Sequence, residues 1–231
     1  MLILSLDTTT RSGSCALMRD GRVLREEAGD VSREQAGRLP GDLAVLLARE
    51  SVELGDLDLL AVATGPGSFT GLRVGIATMQ GLAMALGTPL IGVSALDALA
   101  LIGRRWQGET DDGRVATWID AWRGEVFAAV YEEGRAVEAP TVAAPETLLT
   151  RLAGRPVLFT GDGVLAYQEV IRRRCGANAR FTDPMLPALA GTVATLASAA
   201  FVAGERPPPH AIQPIYVRRP DIELSGNARP V

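Results

Sequence analysis

Short apolar segments separated by turn residues dominate the first thirty positions of the chain. Residues 2–7 form an apolar run with the length of a buried strand, and this run ends in an acid. Segments 14–19 and 22–26 flank Asp20-Gly21, a pair of residues typical of a two-residue hairpin turn. The pattern therefore predicts three consecutive strands, of which the second and third form a hairpin.

A helical pattern follows the hairpin. Ser32 and Gln35 have the spacing of a capping box, in which each side chain bonds the backbone of the other residue. Pro40 conflicts with this start because proline removes a helical hydrogen bond, so it predicts a kink or a later start near residue 39. Four leucines share one face of the predicted helix: Leu39, Leu43, Leu46 and Leu47.

The rest of the first half alternates strands with helices. Segment 58–64 predicts a strand, a glycine-rich turn occupies 65–71, and a helix is predicted from about 72 to 86. Gly87 is typical of the residue that ends a helix in the left-handed conformation. The last two elements predicted in this half are a strand at 90–93 and a helix from Ser94 to about 102.

A polar segment at 107–113 interrupts this periodicity and predicts a boundary between two subdomains. The first would span 1–108 and the second 109–231, with a loose tail from about residue 219 and a short docked segment at 215–217 just before it. The elements predicted in the second half are strands at 115–120, 125–131 and 157–160, a short strand after 134, and helices at 145–152, 164–173 and 188–203.

The order of these elements repeats within the chain. A shift of 113 residues brings Asp7 onto Asp120 and Gly21 onto Gly134, and each of the two aspartates ends an apolar strand. Few identities support the repeat, so chance is the alternative explanation. A true repeat would give a duplicated α/β fold of the actin-like type, in which two acids face each other across a cleft and hold a metal–phosphate group.

Charge and basic-residue content exclude several classes of chemistry. The 231 residues carry a net charge of −4, and all 23 basic residues are arginine. Without lysine there is no Walker lysine, Schiff-base lysine or lysine general base. The acidic balance argues against extensive direct binding of nucleic acid, and the two basic clusters, 172–174 and 218–219, are interpreted as a solvated helix end and a solvated tail.

Cysteine content and hydropathy favour a cytoplasmic protein. Cys15 and Cys175 are far apart and have no metal-binding spacing, which indicates a reducing compartment. No run of about 18 apolar residues predicts a membrane span. The apolar start lacks a basic segment and is interpreted as a core strand rather than a signal peptide.

The glycine-rich turn allows three phosphate-binding interpretations, and a purely conformational role is the alternative to all three. It lacks the lysine of a Walker loop, and the third glycine of a dinucleotide fingerprint is displaced to Gly71. A helix N-terminus still attracts anions, so phosphate binding stays open beside a purely conformational turn. Gly67, Gly71 and Gly75 then recur every fourth residue, which predicts close approach by another helix or backbone, either of this chain or of a partner.

From these helices we predict a partner interface on residues that share small or apolar side chains: Leu39, Leu43, Leu46, Leu47, Gly71, Gly75, Met79, Gly81 and Leu82.

Five motifs, in the right order over the whole chain, resemble the TsaB (YeaZ) family. They are ILSLDTT at 3–9, GPGSFTGLRVG at 65–75, GVS at 92–94, DAWRGEV at 120–126 and PIYVR at 214–218. The resemblance implies an actin-like fold of two subdomains, each with a mixed five-stranded sheet and helices. It also implies a partner of the catalytic subunit TsaD, together with the ATPase TsaE, in transferring a threonylcarbamoyl group to the adenosine that follows the anticodon of tRNAs. Some relatives were once described as glycoproteases.

We expect no intrinsic catalysis. The chain has a single histidine, His210, which cannot form a metal site alone and argues against a metallopeptidase. No histidine lies near either cysteine to activate it. The partners expected are a TsaD-like subunit, a TsaE-like ATPase and a second copy when the chain is alone, with tRNA reached only through the complex.

A nucleotide cleft is the remaining candidate site, with ATP or ADP and Mg²⁺ bound here or at a joint interface. Its predicted residues are Asp7, Thr8, Thr9, Asp120, Gly161, Asp162 and Gly163. The alternatives are that Asp7 only caps neighbouring backbone amides, or that the pair Asp7 and Asp120 serves an actin-like small-molecule kinase.

Overall fold

The computed structural model describes residues 1–30, 35–108 and 113–218. Its strands are β1 (Leu2–Asp7), β2 (Ser14–Arg19), β3 (Arg22–Ala28), β4 (Leu59–Gly65), β5 (Leu90–Ser94), β6 (Arg114–Asp120), β7 (Val126–Glu132), β8 (Arg135–Ala136), β9 (Thr141–Ala143), β10 (Val157–Thr160) and β11 (Ala179–Phe181). Its α-helices are α1 (Gln35–Arg49), α2 (Phe69–Leu86), α3 (Ala95–Gln107), α4 (Pro145–Leu152), α5 (Asp162–Cys175) and α6 (Ala190–Val202).

The first sheet has five strands in the order β3-β2-β1-β4-β5. β1 pairs antiparallel with β2 and parallel with β4, so the hairpin extends one side of the sheet and the crossover strands extend the other. β1 and β4 are buried along their whole length, which explains why each is a nearly continuous apolar run rather than an alternating pattern.

The second sheet repeats this topology. Its order is β11-β10-β6-β7-β8, with β9 also paired to β7, and β6 pairs antiparallel with β7 and parallel with β10. β6 therefore occupies the place of β1, which agrees with the predicted repeat and the actin-like fold class. The prediction of five strands in each sheet holds for the first sheet only, because β9 and β11 have three residues each and leave no periodic signal.

Local turn and cap signals agree with the structure. Asp20 and Gly21 both have positive φ, 50° and 81°, as the hairpin turn requires. α2 ends at Gly87, as predicted, with φ of 68°. It begins at Phe69, three residues before the predicted start near 72, and the Ser68 side chain caps it by accepting a hydrogen bond from the Gly71 N–H. α3 is capped in the same way by Ser94, as predicted.

The start of α1 differs from the expectation. The helix runs from Gln35 through Pro40, so the predicted shift of its start to residue 39 is wrong. Pro40 leaves the carbonyl of Ala36 without its helical partner, and both residues are exposed, so water can satisfy that oxygen. The predicted N-cap, Ser32, lies outside the described residues.

The elements stack in layers. α1 and α2 cover the outer face of the first sheet, and α4 and α5 cover the outer face of the second. α3 and α6 lie between the sheets, where their apolar residues join one core cluster with both. The predicted boundary near residue 108 separates the two sheets, whereas α6 returns from the second half to pack on β1, β2, β4 and β5. The division into two subdomains therefore stays a prediction.

Within the described ranges, no helix has both the length and the apolar character needed to cross a bilayer.

Candidate functional site

The carboxyl ends of equivalent strands bring three aspartates together. Asp7 ends β1, Asp120 ends β6, and Asp162 opens α5 directly after β10. Asp162 Oδ1 accepts a hydrogen bond of 3.0 Å from the Asp120 backbone N–H. Burial, followed by the charges of Asp120 and Asp7, raises the pKa of Asp162 to about 6. Three residues that are far apart in sequence thus interact electrostatically, and two of them, Asp7 and Asp120, are the pair matched by the predicted repeat.

Asp7 is buried and is hydrogen-bonded by its own loop. Its carboxylate accepts hydrogen bonds from the Thr9 N–H at 2.8 Å, the Thr9 hydroxyl at 2.6 Å and the Thr10 hydroxyl at 3.4 Å. The residue is 1% exposed, and burial raises the pKa of its carboxyl although these bonds oppose the shift. In this conformation the side chain organises the turn between β1 and β2.

Gly161 and Gly163 serve close contact between β6 and the start of α5. A Cβ on Gly161 would lie 2.1 Å from the carbonyl oxygen of Trp118, and one on Gly163 would lie 3.1 Å from the Asp120 nitrogen. Gly161 also has φ of 115°, a conformation that other residues rarely adopt. These two glycines therefore allow Asp162 to reach the backbone of Asp120.

The glycine-rich turn packs against the loop that carries Asp7. A Cβ on Gly67 would lie 2.4 Å from the Thr9 carbonyl oxygen, and one on Gly75 would lie 2.2 Å from Thr8 Oγ1. The Ser68 N–H donates to the same Thr9 oxygen at 2.8 Å. The predicted close approach thus occurs within this chain at both glycines, and the approaching element is a loop rather than a helix.

A metal–phosphate group is what an actin-like fold would be expected to hold at this place. Both Asp7 oxygens are already bonded and covered, and Asp120 Oδ1 accepts the Trp122 N–H at 2.9 Å. Among residues 1–30, 35–108 and 113–218, no three histidine, cysteine or carboxylate side chains could hold a metal ion. This donor set does not fit a metal bound by the chain alone, and the nucleotide cleft stays a prediction.

The residues predicted for the partner interface fall into two groups. Gly81 is exposed on α2 and Leu82 is half-buried beside it. The others are buried within this chain: Leu39, Leu43, Leu46, Leu47, Gly71, Gly75 and Met79. A partner that docks on α1 and α2 would therefore meet the opposite faces of these helices.

Comparison with known proteins identifies the family. A family model described as "TsaD: tRNA N6-adenosine threonylcarbamoyltransferase" matches residues 29–200. The chain is 34% identical over 226 residues to the tRNA threonylcarbamoyladenosine biosynthesis protein TsaB of Escherichia coli (strain K12), covering 94% of this chain and 95% of the relative. YeaZ from Pseudomonas aeruginosa, a solved structure, matches with a TM-score of 0.76 at 34% identity, over 93% of this chain and 99% of that chain. The chain belongs to the TsaB (YeaZ) family.

The fold reaches beyond the TsaB family. The activator of the 2-hydroxyisocaproyl-CoA dehydratase from Clostridium difficile, solved with bound ADPNP, matches with a TM-score of 0.58 over 88% of this chain and 97% of that chain. Its sequence identity is 11%, so the match shows the shared fold alone.

The TsaB-family motifs meet in space. The loop of the first motif packs on the glycine-rich turn. The last motif, at 214–218, contacts both halves of the chain. The Ile215 N–H donates to the Thr64 carbonyl at 2.7 Å, which confirms the predicted docked segment. Arg218 bonds the Ala121 carbonyl at 3.0 Å and forms an ion pair with Glu125. The motifs that carry the resemblance are therefore also contact partners.

Sequence reasoning missed an exposed aromatic cluster at the start of α2. The Arg73 guanidinium lies 3.8 Å from the ring centroid of Phe69, and its Nε donates to the Tyr216 hydroxyl at 3.1 Å. The Phe69 and Tyr216 rings are 5.5 Å apart. The two segments are 143 residues apart, and only their membership of two family motifs could have indicated the contact.

Proposed function

We propose that this chain is a non-catalytic subunit that binds a TsaD-like catalytic subunit and supports threonylcarbamoyl transfer to the adenosine following the anticodon of tRNAs. Membership of the family supports a role in this tRNA modification, since the Escherichia coli relative is named as a tRNA threonylcarbamoyladenosine biosynthesis protein. The proposal also includes a TsaE-like ATPase as a further partner. A second copy of the chain would occupy the same surface when the catalytic subunit is missing.

The single observation that carries the proposal is the outer surface of α1 and α2. The exposed positions of α1 from 40 to 48 are Pro40, Gly41, Ala44, Val45 and Ala48, and those of α2 from 77 to 85 are Ala77, Gly81, Met84 and Ala85. None of these is charged, and residues 74–86 contain no charged residue at all. Surface helices normally present charged side chains to water.

This uncharged surface suits a helix-on-helix interface. Met84 is 75% exposed and Val45 50%, so each leaves apolar area that a partner would cover. The small residues at 77, 81 and 85 recur every fourth position and form a shallow stripe that lets a partner helix approach closely. Depletion of charge is typical of the buried centre of a protein interface.

A partner built on the same architecture would fit this surface. The family model that matches most of this chain is the TsaD model itself, so a TsaD-like subunit is expected to present equivalent helices. This chain and a TsaD-like subunit would pair through equivalent helices around a pseudo-twofold axis. Two copies of this chain would pair through the same helices around an exact twofold axis. The same surface thus supports both the heterodimer and the homodimer.

The side chains that could act as nucleophiles have structural roles. Ser5 Oγ donates to the Ala190 carbonyl at 2.7 Å, and Ser14 Oγ accepts from the Leu189 and Ala190 amides. Burial, the largest cause, raises the pKa of the Cys15 thiol to about 12, which keeps it protonated. These contacts support a subunit without chemistry of its own.

Size-exclusion chromatography with light scattering tests the interface. The chain is mixed with its cognate TsaD-like subunit at micromolar concentration, first as wild type and then as Gly81→Leu and Gly81→Ala. Both substitutions favour the helix, but only leucine fills the stripe, so leucine should weaken the complex at least tenfold and alanine should not. Ala166→Leu adds the same side chain to an exposed position of α5 and is the control.

Separate peaks for the wild-type pair would contradict the proposal. Equal effects of Gly81→Leu and Ala166→Leu would contradict the location of the interface.

The small-molecule kinase remains the second candidate because the charges of Asp120 and Asp7 both act on the Asp162 carboxyl. Calorimetry with Mg-ATP distinguishes the two functions. Heat of binding by the isolated chain, with turnover of an acceptor, would favour the kinase, whereas neither is expected of the partner subunit.

A further inference from the structure

Five arginines from three separate segments lie around β11, the edge strand of the second sheet. Arg105 lies in the last turn of α3, Arg172 to Arg174 lie in the last turn of α5, and Arg180 lies in β11. Arg104 is directed away from this strand, because a Cβ on Gly134, in the β7–β8 turn, would lie 2.6 Å from its guanidinium nitrogen. We name the set of five the arginine rim. β11 is the last strand on its side of the sheet, so the rim lies along an edge rather than over a covered face.

Two cation–aromatic contacts hold the rim together. The guanidinium of Arg180 lies 5.5 Å from the ring centroid of Trp106 in α3, and that of Arg172 lies 4.6 Å from the ring centroid of Phe181 in β11. Successive side chains of a strand point to opposite faces, so Arg180 and Phe181 attach α3 and α5 to the two sides of one strand. The positive charges therefore surround this strand.

The charge of the four helical arginines in the rim is not neutralised by their described neighbours. Arg105 and Arg172–Arg174 are exposed and form no ion pair with any carboxylate of the described ranges. Glu169 lies one turn before Arg172 on α5 without pairing to it. The dipole of a helix favours cations at its C-terminus, but this effect does not account for three consecutive arginines. The protein has a net charge of −4, yet the positive charges of the rim are concentrated at one edge. This distribution indicates an anionic partner.

The surface beside α3 carries residue types that are common in RNA-binding surfaces. An open depression of about 360 Å³ is lined by Leu101, Arg104, Arg105 and Gly108. Trp106 is 44% exposed at the same helix end. Arginine binds phosphate through two parallel hydrogen bonds, and an exposed aromatic ring can stack on an unpaired base.

We propose that the arginine rim contacts the sugar–phosphate backbone of the tRNA that the complex modifies. The identity of the RNA rests on the proposed function, whereas the presence of a phosphate-binding surface does not. The rim would give this subunit a direct part in holding the substrate, beyond its contact with a catalytic partner. It also revises the expectation that tRNA is reached only through other subunits.

Fluorescence anisotropy of the full chain with an unmodified tRNA transcript tests the rim directly. At about 50 mM salt the wild type should bind, and Arg173→Glu/Arg174→Glu should weaken binding at least tenfold. The slope of log affinity against log salt should fall by about 0.7–0.9 for each phosphate that the variant no longer binds. Arg19→Glu/Arg22→Glu, on the exposed β2–β3 hairpin, makes the same charge change elsewhere and should weaken binding less than twofold.

Removing negative charges near the rim gives a second test of RNA binding. Glu109, Asp111 and Asp112 follow α3 in the sequence, so Glu109→Gln/Asp111→Asn/Asp112→Asn should tighten binding of the transcript. Absence of RNA binding by the wild type at about 50 mM salt would overturn the proposal. Equal losses from the rim and hairpin variants would also overturn it, because they would show a response to net charge alone.

The complex with the TsaD-like subunit separates this inference from the proposed function. Rim variants should elute with the catalytic subunit as the wild type does, and the resulting complex should bind the transcript at least tenfold more weakly. Loss of co-elution in the rim variants would identify the rim as a protein interface and overturn the RNA assignment. If the wild-type chain binds RNA but never binds the catalytic subunit, the proposed function is wrong, whereas the assignment of the rim as a phosphate-binding surface is retained.

Discussion

At the scale of single residues, Asp162 shows how burial and neighbouring charge act on one carboxyl group. Its pKa rises from 3.8 to about 6, mainly because the group is desolvated. Between these two values the folded state binds more protons than the unfolded state, so stability falls as pH rises. The contribution of Asp162 is fully present below about pH 4 and lost above about pH 6.

Asp162→Asn should remove this dependence. Asparagine keeps an oxygen that can accept the Asp120 N–H but never ionises. The variant should match the wild type near pH 4 and exceed its free energy of unfolding by about 1–3 kcal/mol at pH 7. Urea unfolding across this range measures the difference.

Burial also raises the pKa values of Asp7 and Glu26, and both residues are present in the wild type and in Asp162→Asn. The difference in free energy of unfolding between these two proteins therefore reports Asp162 alone. Asp183→Asn changes an exposed carboxylate and is the control. A wild type more stable than Asp162→Asn at pH 7 would contradict the destabilising role assigned to the charge.

At the scale of elements, α2 has two glycines with opposite roles. A Cβ at Gly75 would meet Thr8 Oγ1 at 2.2 Å, so one of the two must shift, and Thr8 is itself buried. A Cβ at Gly81 would meet no atom within 4 Å. Gly75→Ala should therefore destabilise the protein by about 1–3 kcal/mol, whereas Gly81→Ala should stabilise it by about 0.5–1 kcal/mol.

Thermal unfolding of the two variants checks the signs, and Thr8→Ala in the Gly75→Ala background supplies a control. Removing the hydroxyl should recover part of the loss because the crowded atom is gone, so the double-mutant cycle should show a favourable coupling. If both alanine variants shift stability in the same direction, the close approach at Gly75 does not have the proposed effect.

The same helix shows what the sequence could and could not predict. Its end at Gly87 follows from local chemistry and is predicted correctly, whereas its start is predicted near residue 72 although a local cap at Ser68 begins the helix at Phe69. Which of its two faces packs inward is not a local property: Met79 and Ala77 lie on different faces, and residues 74–86 contain no charged residue that would mark the outer face. Seven of the nine residues predicted for the interface are therefore buried within this chain. The contact between Thr8 and Gly75 likewise joins segments that only the fold brings together.

At the scale of the whole molecule, the layer between the two sheets links the halves. α6 comes from the second half, yet Ala190, Val193, Ala194 and Ala197 are buried in the cluster that also contains Ile3 of the first sheet. Glu26 extends this contact by accepting the Gly191 N–H at 2.7 Å. No periodic pattern in the sequence indicates which sheet a helix will cover, so the boundary predicted near residue 108 separates the sheets but not the core.

Residues 1–108 should therefore not fold alone. Without α6 the inner face of the first sheet, with Ile3, Leu59 and Ala61, would be exposed to water, and each large side chain uncovered there costs about 1.5–3 kcal/mol. The isolated fragment should bind a hydrophobic dye and unfold without a sharp transition. A fusion that appends residues 187–204 through a flexible linker restores the missing helix and should regain cooperative unfolding. A fragment 1–108 that melts as sharply as the full chain would show that the first half has a sufficient core of its own, because the cluster beneath α1 and α2 would then outweigh the loss of the layer between the sheets.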